Sequence, residues 1–321
     1  MPMPSRPRGI SAEVVQVTCR RVLGRCRLGR LWCAAALCAA ALAPAAAEAQ
    51  ERPYFVTYGR HLEEPDSFEI SFNPVYARQR GGGDFLAGWL ELEYGVKGWW
   101  TTELYLDGQG TRRDSTVATG WRWENRVRPL LHEHWLNPVL YLEYEDLDGA
   151  DKTLLEVVGH DVQADHAPPN RELRRERKRE LEAKLILGSS LADWDLSGNF
   201  IAEKNLAGAL WEFGYAAGCS RPLALAARPD PCTFCPENFT AGVEMYGGLG
   251  DAGGFGLAET SHYLAPVVAW SLPNGTTLRL SPTFGLNRNS HRFLLRFGVS
   301  YEIPGLWRRG PRRQGGGAGL P

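Results

Sequence analysis

The chain has 321 residues, 44% of them hydrophobic, and a formal net charge of −1. That balance provides no whole-chain attraction for nucleic acid. With a mean hydropathy of −0.30, nothing after the first 50 residues is long and apolar enough for a spanning helix. Glycine (36) and aromatic residues (11 Trp, 11 Tyr, 12 Phe) are abundant, a combination shared by β-barrels and β-sandwiches.

Residues 1–49 read as a secretory signal peptide. Arg20, Arg21, Arg25, Arg27 and Arg30 precede an apolar run from Leu31 to Ala43, and Ala47-Glu48-Ala49 supplies a small-residue cleavage site. The run is too short to span a bilayer. Four cysteines (Cys19, Cys26, Cys33, Cys38) lie in this leader. Cys33 follows Trp32 and Cys38 follows Leu37, so neither has the small preceding residue that a lipid anchor requires. Cleavage removes seven Arg and two Glu, a net +5, and takes the chain from −1 to −6. The expected product is an acidic exported protein destined for the outer membrane.

From residue 50, a lead-in (50–66) containing a short extended segment, Phe55 to Gly59, is expected on the periplasmic side. Twelve stretches of period-two alternation follow between residues 67 and 303. The first six are expected near 67–75, 85–96, 99–107, 116–128, 138–146 and 178–188. The second six fall near 193–204, 210–221, 239–247, 261–271, 276–286 and 291–303. In the second, Leu90, Leu92 and Tyr94 oppose Glu91 and Glu93. In the fourth, Trp121 and Trp123 oppose Arg122, Glu124 and Arg126. In the last, Phe293, Leu295, Phe297, Val299, Tyr301 and Ile303 share one face.

Most stretches are as long as a tilted strand needs to cross a bilayer, and roughly twice the soluble average. An even count returns both ends of the sheet to one side. The expected fold is therefore all-β, a transmembrane antiparallel up-and-down β-barrel of about 12 strands. Gly95-Val96-Lys97-Gly98 and Pro273-Asn274-Gly275 read as tight periplasmic turns. The segment 147–177 is then the longest external loop, and its charge run Arg171 to Arg179 reads as a solvated rim. Residues 304–321, rich in Gly, Pro and Arg, are expected to form a disordered tail.

The polar faces set out the candidate lumen. Its acidic members are Glu91, Glu93, Glu103, Asp107, Glu124, Glu143, Glu182, Asp195, Glu203, Glu212 and Glu244. Its basic members are Arg122, Arg126, Arg128, Lys184, Arg279, Arg292 and Arg296. Such a lining either tunes the ion selectivity of an aqueous pore or pairs across strands to fill a closed interior. Cys219, Cys232 and Cys235 can supply a structural disulfide, with the pairing open and one thiol left over. His132-Glu133-His134 has no evident third ligand and reads as an incidental loop pair.

Trp211-Glu-Phe-Gly-Tyr-Ala-Ala-Gly218 with Ser220-Arg-Pro222, and the ending from Ser290 to Ile303, resemble uncharacterised bacterial outer-membrane β-barrels. These sit near the transporter-like family named after the meta-pathway of phenol degradation. The resemblance implies a porin-like or transporter-like role and carries no catalytic residue. The eighteen residues after Ile303 depart from barrels that end on an aromatic last strand. A passive channel or transporter for small solutes is the leading expectation, and a non-conducting structural or surface-interaction barrel the alternative. An enzyme is disfavoured, since no H-x-S-N-G stretch occurs and the adjacent pairs Ser261-His262 and Ser290-His291 split across strand faces. No cofactor or metal is expected. Expected partners are outer-membrane lipid, the barrel-assembly machinery and small solutes, with no nucleic acid.

Overall fold

A computed structural model describes residues 53–155, 157–226 and 232–306. The expected signal peptide and most of the expected tail lie outside the described residues. Five long strands come first: β1 (Phe68–Ala77), β2 (Phe85–Lys97), β3 (Trp100–Thr111), β4 (Thr116–Val127) and β5 (Asn137–Asp148). One helical turn, α1 (Asn170–Leu173), precedes β6 (Arg177–Leu191), so the charge run supplies both a turn of helix and the start of a strand. Then come β7 (Trp194–Asn205), β8 (Trp211–Pro222) and β9 (Phe239–Asp251). A two-residue β10 (Gly254–Phe255) folds back on β9, before β11 (His262–Ser271), β12 (Thr276–Gly285) and β13 (Phe293–Ile303).

Every long strand pairs antiparallel with its neighbours in sequence, β9 with β11 across the short β10. β13 pairs with β1, which closes the sheet. The result is an all-β, closed, antiparallel twelve-stranded barrel. Closure removes the unpaired edges that an open sheet would present.

Burial runs opposite to that of a soluble protein. Glu103, Glu124, Arg126, Glu143, Glu182 and Arg296 are buried, while Leu90, Leu104, Leu106, Trp123, Leu142, Leu185, Phe200, Leu280 and Phe297 are exposed. Because successive strand residues face opposite sides, one alternation produces both a charged interior and an apolar outer belt. A β-sandwich would bury the apolar set, so this inversion decides between the two architectures.

One end of the barrel carries the chain entry into β1 and the connections 98–99, 128–136, 192–193, 223–238 and 272–275; we call it the turn end. The opposite, loop end carries the connection 149–176 between β5 and β6. At the turn end, Gly275 adopts φ 82° in the expected Asn-Gly hairpin. Ala192 (φ 48°) and Asp193 (φ 67°) close the β6–β7 hairpin with both residues left-handed, although neither is glycine. That backbone is the one a two-residue type I′ turn demands.

Candidate functional site

The interior is organised by one register line that runs most of the way round the barrel. Glu302 on β13 stands opposite Glu69 on β1, which stands opposite Glu93 on β2. The line continues through Glu103, Glu124, Glu143 and Glu182 on β3 to β6. Glu203 on β7 and Glu212 on β8 follow, and Asp251 on β9 ends it. Directly opposed residues point to the same face. Since strands in a closed barrel tilt against its axis, the line climbs. Glu69 and Glu302 lie near the turn end, Glu143 and Glu182 near mid-height, Glu203 and Glu212 near the loop end.

Cations flank this carboxylate staircase on the neighbouring register lines. Arg126 contacts Glu93, Glu103 and Glu124, the last at 2.8 Å. Arg122 donates to Asp107 at 3.0 Å and to Glu143 at 3.2 Å. Lys184 lies 2.9 Å from Glu182 and 3.9 Å from the Tyr141 ring centre. Tyrosines add neutral donors: Tyr105 donates to Glu124 at 2.5 Å, and Tyr141 donates to Glu143. Such pairing is what permits charged groups to stay buried.

The opposite wall, β8 to β13, is lined largely by small inward residues, among them Gly214, Ala216, Gly218, Ala265, Ser281 and Ser300. Two segments occupy the space they leave. From the turn end, residues 53–60 enter the barrel. The Glu244 carboxylate accepts hydrogen bonds from three successive backbone amides, of Phe55 (3.1 Å), Val56 (3.0 Å) and Thr57 (2.9 Å). Asn199 accepts from the Tyr58 amide at 2.7 Å and donates to the Tyr58 carbonyl at 2.9 Å. Arg279 donates to the Tyr54 carbonyl at 3.3 Å. The Tyr58 hydroxyl reaches the staircase, donating to Glu124 at 2.9 Å.

From the loop end, the connection 149–176 folds inward. Leu154, Leu155, Val157 and Val158 are buried, and Gly159 pairs with Gly250. Arg296 donates to the Thr153 and Leu154 carbonyls. Lys152 is buried and donates to Thr111 (3.0 Å) and Asn170 (3.2 Å); burial lowers its ammonium pKa, with the Asp114 charge opposing. The two inserted segments join one apolar cluster, in which Tyr54, Phe55 and Val56 meet Leu154 and Val157.

A cavity of about 600 Å³ lies at the turn end, lined in part by Glu69, Glu91, Glu93 and Glu302. Another of about 570 Å³ lies at the loop end, lined in part by Glu145, Glu180, Glu203 and Glu212. Between the inserted segments is a space of about 10 Å³, bounded by Phe55, Tyr58, Trp89, Tyr105, Leu155 and Arg279. That is about the room of one water molecule.

The structure therefore places most of the expected lining together. Glu91, Glu93, Glu103, Asp107, Arg122, Glu124, Arg126, Glu143, Glu182, Lys184, Glu244, Arg279 and Arg296 are buried in the interior. Asp195 lines the turn-end cavity, and Glu203 and Glu212 the loop-end one. Two expected members lie elsewhere. Arg292 is exposed ahead of β13, and Arg128, just past β4, donates to the Gly98 carbonyl at 2.8 Å. Both stand just outside a strand, where the inward alternation no longer fixes the side of the wall they face. Glu69, Glu145, Glu180 and Glu302 belong to the interior as well. The alternation around them, such as Glu69 between Phe68 and Ile70, is the signal that marks them.

Cys232 and Cys235 form a disulfide, Cα atoms 5.7 Å apart, and Cys219 is free. His132 and His134 are exposed in the turn-end connection 128–136. The segment Phe55 to Gly59, expected as a periplasmic lead-in, is buried inside the barrel.

The fold and its apolar belt define a transmembrane-type β-barrel with an occluded, charged lumen. No family model and no curated protein matches the sequence. Among solved structures, the chain is similar to the COG4313 outer membrane channel from Pseudomonas putida F1 (11% identity, TM-score 0.46, covering 79% of this chain and 100% of that one). It is also similar to LpxR from Salmonella typhimurium (10% identity, TM-score 0.38, covering 73% and 99%). A third is the outer membrane protein Omp33 from Acinetobacter baumannii (7% identity, TM-score 0.35, covering 78% and 99%).

Proposed function

We propose that the protein is an outer-membrane channel for small cationic solutes, seen here in a closed state. The carboxylate staircase carries this reading. It climbs from the cavity at one end of the barrel to the cavity at the other, winding round most of the wall. A file of acidic groups with few interspersed cations favours positive over negative solutes. The exported address of residues 1–49, the apolar belt and the resemblance to transporter-like barrels support the same placement. On this reading the turn end faces the periplasm, lipid surrounds the belt, and the barrel-assembly machinery inserts the chain.

The test is conductance of the chain from Gln50, refolded into planar bilayers, compared with Glu91→Gln/Glu93→Gln/Glu103→Gln. The expected result is a cation preference in the parent that falls severalfold in the triple variant. A conducting barrel whose preference does not move sinks the proposal. The narrow space between the inserted segments favours a second reading, a non-conducting barrel. Silence in folded, inserted protein, with both inserted segments intact or removed, supports it.

A further inference from the structure

We infer that residues 53–60 are the gate of this channel, a retractable strap that leaves the lumen toward the turn end while the loop-end segment stays in place. The inference rests on the channel reading above and assigns its moving part.

The strap is an excursion, entering and leaving by the same end. Its tip reaches the interior at Phe55 to Tyr58. By Arg60 the chain is back beside Asp195 (3.3 Å) and Ser190 (2.7 Å) at the turn end. Past it, the Glu63 amide donates to Thr101 at 3.1 Å and the Asp66 amide to the Gly95 carbonyl at 2.8 Å. Withdrawal therefore breaks no strand pairing and threads no closed loop. The loop-end segment is anchored differently. It joins the wall by the Gly159–Gly250 pairing, the Arg296 bonds and four buried aliphatic side chains, and it is continuous at both ends with long strands.

The wall carries an imprint of the strap. A Cβ on Gly218 would lie 2.7 Å from the Tyr54 ring, and one on Gly188 would lie 2.6 Å from the Arg60 Cβ. Neither has a positive φ. Their backbone is ordinary strand, where glycine is otherwise disfavoured. Room for the strap is what these positions require. The largest single share of its polar hold is Glu244, which is fully buried and takes three amides at once, with Asn199 on both sides of Tyr58 and Arg279 on the Tyr54 carbonyl adding to it. Those amides and that carboxylate regain water when the strap leaves, which offsets the lost hydrogen bonds, and exposure of Tyr54, Phe55, Val56 and Tyr58 sets the apolar cost that keeps the strap seated.

The experiment uses the chain from Gln50 in two channels of readout. Thr57, 1% exposed, is replaced by cysteine and challenged with a membrane-impermeant maleimide. Gly218→Val, which suits a strand but collides with Tyr54, is then added, and Glu244→Gln is made separately. Expected results are slow labelling in Thr57→Cys alone, at least tenfold faster labelling with either second change, and a parallel rise of at least tenfold in conductance. Retained heat-shifted mobility on gels confirms a folded barrel. Should Gly218→Val fail to fold, Glu244→Gln and deletion of residues 53–60 carry the test. Fast labelling of Thr57→Cys alone overturns the gate, as does a folded deletion variant no more conductive than the parent. An opened pore without cation preference leaves the gate standing and removes the charge reading instead.

Discussion

Arg296 on β13 closes on the carbonyl oxygen of Leu154, a residue with a left-handed backbone (φ 49°) at the inner reach of the loop-end segment. The same guanidinium donates to the Thr153 carbonyl at 3.4 Å, so one buried cation caps two buried backbone acceptors.

Replacing Arg296 with Met keeps the bulk and removes the donors. Loss of hydrogen bonds from a charged group to buried acceptors amounts to about 2–3 kcal/mol. The variant should unfold from vesicles at a lower urea concentration than the parent. Amide exchange should rise first in residues 150–160. An unchanged midpoint would show that the carbonyls find other partners.

The loop end should loosen in acid. His291 is buried, accepts from the Tyr263 hydroxyl at 3.2 Å and donates to Gln79 at 2.8 Å. Burial, with the neighbouring His166 and Lys152 charges, lowers its pKa to about 3. An unfolded chain takes up this proton near the ordinary value of about 6.5. The stability it confers is present in full above that pH and is lost progressively as pH falls toward 3, by about 2 kcal/mol at pH 5. Urea midpoints measured at pH 7.5 and pH 5 should converge in His291→Asn relative to the parent.

The belt predicts its own sensitivity. Leu142 on β5 points outward at mid-height, 51% exposed. An arginine there should cost about 2–4 kcal/mol in a bilayer, whereas Leu131→Arg in the turn-end connection should cost about 0–1 kcal/mol. Equal costs by urea titration in vesicles would mean that Leu142 does not face hydrocarbon.

The disulfide should act locally. Phe234, between its cysteines, packs on Trp270 with ring centres 4.5 Å apart, and the Trp270 indole donates to the Thr233 carbonyl at 2.9 Å. A four-residue loop gains about 2 kcal/mol at most from closure. Reduction should shift tryptophan fluorescence while strand amides keep their protection. Loss of strand protection would give the bridge a global role instead.

Nearly all of the strand order was legible in the sequence, because in this architecture each strand faces the same two environments from end to end. Leu90, Leu92 and Tyr94 alternate with Glu91 and Glu93 for that reason alone, and no tertiary contact interrupts the pattern. Phe55 to Gly59 was legible only as an extended segment. What holds it inside, Glu244 and Asn199, comes from strands far along the chain, and nothing local announces the meeting. The staircase escaped for a related reason. Most of its members, though not Glu69, Glu302 or Asp251, were visible as inward residues, but their facing one another depends on register, which turns such as Ala192-Asp193 fix without a glycine to mark them.

That register has a further consequence for how the molecule assembles. In three successive pairings, Glu103–Glu124, Glu124–Glu143 and Glu143–Glu182, like charges face each other. Facing like charges disfavour a strand pair. A slide of two residues would keep every apolar side chain toward lipid and bring Glu103 opposite Arg126, or Glu143 opposite Lys184. Directly facing side chains therefore do not select the native alignment, which rests on offset pairs such as Arg126 with Glu103 and Arg122 with Glu143 and on connection length. A hairpin two residues longer or shorter gives the nascent barrel access to a charge-matched but wrongly sheared competitor, whose lumen would lack a continuous acidic path.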